Sequence, residues 1–267
     1  MIPAMSSRPL YSLLRHDRPV VLTGLGVVVM IAWLYLLLGA GGAMDTMDMG
    51  GGQMMLMAPA WTPGYAALIL LMWAIMMVAM MLPSAAPTIL LVANIARSRA
   101  ATAGGVPTAA LFALGYIVVW AGFSVAATLL QWSLDRLGIL SDAMASRSAA
   151  VAGLILVAAG LYEWTPLKQS CLRHCRSPLD FLIRYWRKAT WGGAVIGMRH
   201  GFFCLGCCWM LMALLFVGGL MNVLWIAALA LLVLVEKTLP WGGRMSRVTG
   251  IVLVVWGAVT LASVAFS

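Results

Sequence analysis

The feature that most constrains this chain is the recurrence of long apolar runs with almost no charge inside them. A helix needs about 20 such residues to cross roughly 30 Å of hydrocarbon, and it must satisfy its own backbone hydrogen bonds there. Seven runs approach that length: 19–39, 64–82, 108–131, 149–164, 201–219, 221–236 and 248–266. The fourth and sixth are short and depend on their flanks. With 63% of residues hydrophobic and 9% charged, water cannot be the main solvent of this chain. The expected fold is all-α: one polytopic membrane domain over residues 1–267, a bundle of seven transmembrane helices.

The formal net charge of +9 comes from 17 Lys and Arg scattered between the apolar runs, without a continuous basic face. Nucleic acid is therefore not an expected partner; the lipid bilayer is. Lys and Arg are retained on the cytoplasmic side during insertion, so alternate connections should differ in basic content. The N-terminus (Arg8, Arg15, Arg18), the second connection (Arg97, Arg99), the fourth (Lys168, Arg173, Arg176, Arg184, Arg187, Lys188) and the sixth (Lys237, Arg244, Arg247) are basic. The first holds Asp45 and Asp48, the third balances Asp135 and Asp142 against Arg136 and Arg147, and the fifth and the C-terminal end are uncharged. This pattern predicts the N-terminus inside and the C-terminus outside, in a bacterial inner membrane. Trp61, Trp132, Trp164, Trp191 and Trp241 fall near the expected span ends, where an indole keeps its N–H wet. The first run exceeds the core of a secretory signal, so it is expected to stay as an anchor rather than be cleaved.

Two connections are long enough to act. The outer one, 40–63, is rich in Met and Gly, with Met44, Met47, Met49, Met54, Met55 and Met57 beside two aspartates. It is too glycine-rich for a fixed helix. It resembles methionine clusters that capture copper in oxidising compartments, although such loops also bind apolar partner surfaces. The inner one, 165–190, carries Cys171, His174 and Cys175, then Pro178 and a basic amphipathic stretch suited to the inner leaflet. Its thiols are expected to be reduced.

The sharpest constellation opens the fifth run. His200, Cys204 and Cys208 stand at i, i+4 and i+8, one face of a helix, with Cys207 beside them. Soft thiolates and imidazole suit copper(I) or zinc, and the lack of a second nearby carboxylate disfavours hard ions. Buried packing is the bland alternative for any cysteine. In the second run Met76 and Met80 repeat at helical spacing, with Met77 and Met81 on the adjoining face. Thioethers there offer copper(I) a soft path, or adaptable packing. Pro83 and Pro87 are expected to kink or break that span and open a cavity. Glu236, next to Lys237, accepts a proton, ligates metal or pairs with Lys237 or Arg199. Asn222 and Gln131 are read as interhelical hydrogen-bonding groups.

The stretch 73–87, the Thr165-Pro166-Leu167-Lys168 run before Cys171 and Cys175, Gly201 with Cys204-Leu205-Gly206-Cys207-Cys208-Trp209-Met210, Gly219-Leu220-Met221-Asn222 and Glu236-Lys237 together resemble an uncharacterised bacterial family of predicted metal-binding integral membrane proteins. The resemblance runs from about Trp73 to Pro240 and implies that these clusters belong to one architecture. The expected function is soft-metal binding, copper before zinc, as a carrier or a metal-loading factor with a donor or acceptor protein as partner. Membrane thiol–disulfide exchange and a non-catalytic scaffold are the competing readings. Nucleotide loops, nucleophile elbows and zinc-protease motifs are absent from the sequence, which disfavours an ATP-driven pump or a hydrolase.

Overall fold

The computed structural model describes residues 8–39, 46–48, 54–56, 61–98, 105–140, 146, 148–186 and 191–265. Helices dominate: α1 (Arg8–Gly39), α2 (Pro63–Ser98), α3 (Gly105–Arg136), α4 (Ala149–Glu163), α5 (Pro166–Arg176), α6 (Pro178–Tyr185), α7 (Gly192–Ala213), α8 (Leu215–Gly218), α9 (Val223–Thr238) and α10 (Gly242–Ala265). Between α1 and α2 the backbone forms a short antiparallel ladder, β1 (Thr46–Asp48) with β2 (Met54–Leu56), in which Met47 opposes Met55. The side chains of the methionine-rich connection lie outside the described residues.

Among the described residues, five helices are long and apolar enough to cross a membrane: Arg18–Leu38 within α1, then α2, α3, Gly192–Gly218 and α10. Helices α4 and α5 meet the test as a pair bent by 64°, which brings the number to six. The bend follows from sequence. Thr165 leaves the helical region to cap α5, accepting from Lys168 N at 3.3 Å, and Pro166 starts α5 where a missing N–H costs nothing. At 16 residues α9 is shorter than the five, so the described helices give five or six spans by length where hydropathy predicted seven. Asn222, expected to bond between helices, instead caps α9 by accepting from Trp225 N at 3.1 Å. Gln131 does bond across helices, accepting from Trp73 Nε1 at 2.8 Å.

Helix α2 extends well past the expected end at 82. It runs as one 36-residue helix through Pro83 and Pro87, with no break in the helix at either. The reason is packing: Thr88, Ile89, Val92, Ala93 and Ala96 continue the buried face beyond the prolines, and Arg97 closes the last turn. Helix α7 likewise begins at Gly192, ahead of the expected start at 201, so the His/Cys stripe lies within the helix rather than at its mouth. Its early turns press on α3 so closely that a Cβ at Gly197 would stand 2.0 Å from Phe112 O, and one at Gly115 would stand 2.1 Å from Ala194 O. Only glycine permits that approach.

The inner connection does not simply lie apart from the bundle. Helix α5 folds back onto α7, burying Leu172 and Cys175, and Cys171 Sγ occupies the space that a Cβ on Gly206 would need. One end of the bundle thus gathers α2, α3, α5, α7 and α9 around the cysteines.

Candidate metal centre

Helix α7 supplies the centre's spine. Cys204, Cys207 and Cys208 are all buried, and the thiols of Cys207 and Cys208 both donate to the carbonyl of Cys204, at 3.0 and 2.9 Å. From α2, Met81 brings its sulfur to 3.9 Å from Cys208 Sγ. From α3, the Tyr116 hydroxyl lies 2.9 Å from Cys204 Sγ and 3.2 Å from Met81 O. From the last turn of α9, Lys237 sends its ammonium among the sulfurs: Nζ is 2.9 Å from Cys204 Sγ, 3.7 Å from Cys208 Sγ, 3.9 Å from Met81 Sδ and 3.4 Å from Ser84 Oγ. Helix α5 adds Cys175, which is buried in the same core, and Cys171 against Gly206. The five cysteines are free thiols. The fold-back therefore brings both cysteine groups of the sequence together.

The other expected ligands make contacts of their own. His200 is buried in a cage of Phe112, Tyr116 and Phe181 rings, with centroids 5.6, 5.9 and 5.2 Å away, and its Nδ1 has no hydrogen-bond partner among the described residues. His174 stacks on Phe203 at 4.2 Å and its Nδ1 meets Ser170 O at 2.9 Å. Met76, Met77 and Met80 are buried in the same helix as Met81. Glu236 does not turn to Lys237 or Arg199. Its Oε2 pairs with Lys168 Nζ at 2.9 Å, and its Oε1 has no hydrogen-bond partner among the described residues. Lys168 also pairs with Glu163, which accepts from Ser246 Oγ at 2.7 Å, so a buried network of two carboxylates on one ammonium borders the thiol cluster. On its outer side a groove of about 440 Å³ is lined by Gln169, Arg176, Trp241, Arg244 and Arg247.

Among the described residues, no group of three or more His, Cys, Asp and Glu side chains is arranged to hold a metal ion. The converging soft donors are Cys204, Cys208 and the Met81 thioether, a set that lies outside that definition. A family profile described as a copper chaperone, PpoB2, matches residues 70–260. The chain belongs to this copper chaperone family. No curated protein and no solved structure matches it. The copper chaperone match takes in α2 through most of α10, and with them every cysteine, Met81, Lys237 and the carboxylate network. Helix α1 and the methionine-rich connection precede it.

The donor chemistry agrees with the copper chaperone family. Thiol and thioether sulfurs in an apolar enclosure favour soft monovalent copper over hard ions. Sequence reasoning about this family member missed Tyr116, because an isolated tyrosine in an apolar run carries no signal. It also read Lys237 as a partner for Glu236. Adjacent helical residues point about 100° apart, which is the signal that separates them.

Proposed function

We propose that this chain is a copper-handling protein of the bacterial inner membrane that takes Cu(I) on Cys204, Cys208 and Met81 and passes it on as a carrier or loading factor. The observation that carries the reading is the convergence of two thiols and a thioether from α7 and α2, 3.9 Å apart at Cys208 and Met81, within the stretch matching the copper chaperone family. The retained segments fit this role. Met76, Met77 and Met80 form a thioether approach along α2, Cys207 and Cys175 receive or hold the ion next, and His200 with its free Nδ1 stands one helical turn from Cys204. Cys171, His174 and Glu236 serve as outlying donors or shape the cluster. Copper is the first candidate and zinc the second.

In this reading α9 is the seventh span, the N-terminus is inside and the C-terminus outside, and the outer methionines capture the ion. The arginine-lined groove beside α5 and α10 then faces the cytoplasm and suits an acceptor protein with an acidic rim. Reduced protein purified in detergent and offered Cu(I) should retain near-stoichiometric copper, and Cys204→Ser with Cys207→Ser and Cys208→Ser should lose it. Unchanged retention in that variant defeats the assignment.

The packing of α5 on α7, which sets Cys171 against Gly206 and buries Cys175 with the α7 cysteines, favours thiol–disulfide exchange as the second reading, since the two groups come from different helices. Alkylation in intact cells followed by mass spectrometry separates the two: a trapped Cys175–Cys207 disulfide supports exchange, and free thiols support copper.

A further inference from the structure

Lys237 stands out among the buried charges because its surroundings are wrong for an ordinary salt bridge. The other buried lysine, Lys168, has two carboxylates. Lys237 is 7% exposed, and among the described residues no carboxylate lies within ion-pair distance of it. Its ammonium instead faces Cys204 Sγ, Cys208 Sγ, Met81 Sδ and Ser84 Oγ. A buried cation surrounded by neutral thiols and a thioether is poorly compensated, and such a group is costly unless something in the site carries negative charge.

We infer that Lys237 is the built-in counter-cation of the metal site and that it sets the site's preference for a monovalent over a divalent ion. The inference rests on the copper reading above and deepens it. When Cu(I) binds between Cys204 and Cys208 it replaces two thiol protons, which pass to water. Two thiolates and one Cu(I) leave the complex with a single negative charge. The Lys237 ammonium, already beside both sulfurs, makes the site neutral. A divalent ion on the same two thiolates is neutral without help, so with it the lysine leaves an uncompensated positive charge in the bilayer. Neither case moves an electron, and Lys237 stays an ammonium throughout.

Lys237 Nζ sits among the same three sulfurs that would take the metal, on a flexible four-carbon stem that can withdraw by rotation while the α9 backbone stays in place. Met81 adds a neutral donor and leaves the charge balance unchanged.

The test compares the full chain with Lys237→Leu and Lys237→Gln, each reduced in detergent. Cu(I) affinity is read by competition with a chromophoric Cu(I) chelator, and Zn(II) affinity by competition with a zinc indicator. Both variants should lose Cu(I) affinity by about 10- to 100-fold, the range for groups that tune a metal site without touching the ion, while Zn(II) affinity holds or rises. Equal Cu(I) affinity in the variants, or a parallel loss of both metals, overturns the inference. Should neither variant fold, the unaltered protein still decides: it should keep Cu(I) against a tenfold excess of Zn(II), and displacement by zinc overturns the inference. A wild-type chain that takes no Cu(I) at all instead removes the copper reading beneath it, which is a different result.

Discussion

Lys168 Nζ lies 2.9 Å from Glu236 Oε2, a buried contact that ties the first turn of α5 to the last turn of α9. The same ammonium holds Glu163 at the end of α4, whose carboxylate also accepts from Ser246 of α10. One cation thus joins four helices at the edge of the thiol cluster. Its loss is expected to be severe: Lys168→Met leaves two buried carboxylates without a cation, at a cost of about 3–5 kcal/mol. Thermal unfolding in detergent checks this, and Lys168→Met with a near-native midpoint would show that the network does not hold the helices together. Combining Lys168→Met with Glu163→Gln and Glu236→Gln should recover much of the loss, because no buried charge is then left alone.

Close approach of α3 and α7 gives a second, independent expectation. A methyl group at Gly197 would stand 2.0 Å from Phe112 O, so Gly197→Ala must push α7 from α3, at about 1–3 kcal/mol for overpacking. Because Cys204 lies two turns further along α7 and meets Tyr116 of α3, the shift should also weaken Cu(I) retention. Gly122→Ala is the control: nothing lies within 4 Å of its Cβ position, and stability should hold or rise by up to about 1 kcal/mol, since alanine is the better helix former. Equal behaviour of the two alanine variants, followed by thermal unfolding and copper retention, would refute the close-packing account.

Much of this architecture was legible in the sequence for a physical reason. Apolar length announces helices in lipid, and the i, i+4, i+8 spacing of His200, Cys204 and Cys208 already fixes a shared face. What the spacing leaves open is which neighbours meet that face. Met81 was one of four equivalent methionines until α2 was set against α7, and Lys168 was one basic residue among six in its connection until α5 folded back. The expected end of the second run at 82 fell short because the prolines' local effect was weighed without the buried face that continues past them. The expected start at 201 came late for a similar reason: glycine is a poor helix former in isolation, yet Gly193 and Gly197 are the points where the helix packs against α3.

Burial sorts the cysteines for a third test. Cys171 is partly exposed, while Cys175, Cys204, Cys207 and Cys208 are buried. A small maleimide applied to the folded, reduced protein should label Cys171 first, and Cys171→Ser should remove the fast phase. All five react after denaturation. Intact-mass spectrometry over time reads the number of labels, and rapid labelling of Cys204 or Cys208 in the folded chain would mean that the cluster is open to water. Bound Cu(I) should slow the labelling of Cys204 and Cys208 further while leaving Cys171 unchanged.

The number of spans is decided by α9. At 16 residues it is about 24 Å long, short of the roughly 30 Å hydrocarbon core. Yet it ends on the buried Glu236 and Lys237, and α10 follows at Gly242 after a tight turn, so the proposed topology takes α9 and α10 as consecutive passes. The proposed topology counts α9 with the five long helices and the bent α4–α5 pair as seven, and that odd number would put the two termini on opposite sides. A fluorescent protein fused ahead of Met1 should therefore fold and fluoresce, since such fusions fail in the periplasm, and alkaline phosphatase fused after Ser267 should be active. An inactive C-terminal phosphatase together with a fluorescent C-terminal fusion would place both ends inside. Either α9 or the α4–α5 pair would then enter the bilayer without crossing it, and the arginine-lined groove beside α10 would lose its assignment to the cytoplasmic face.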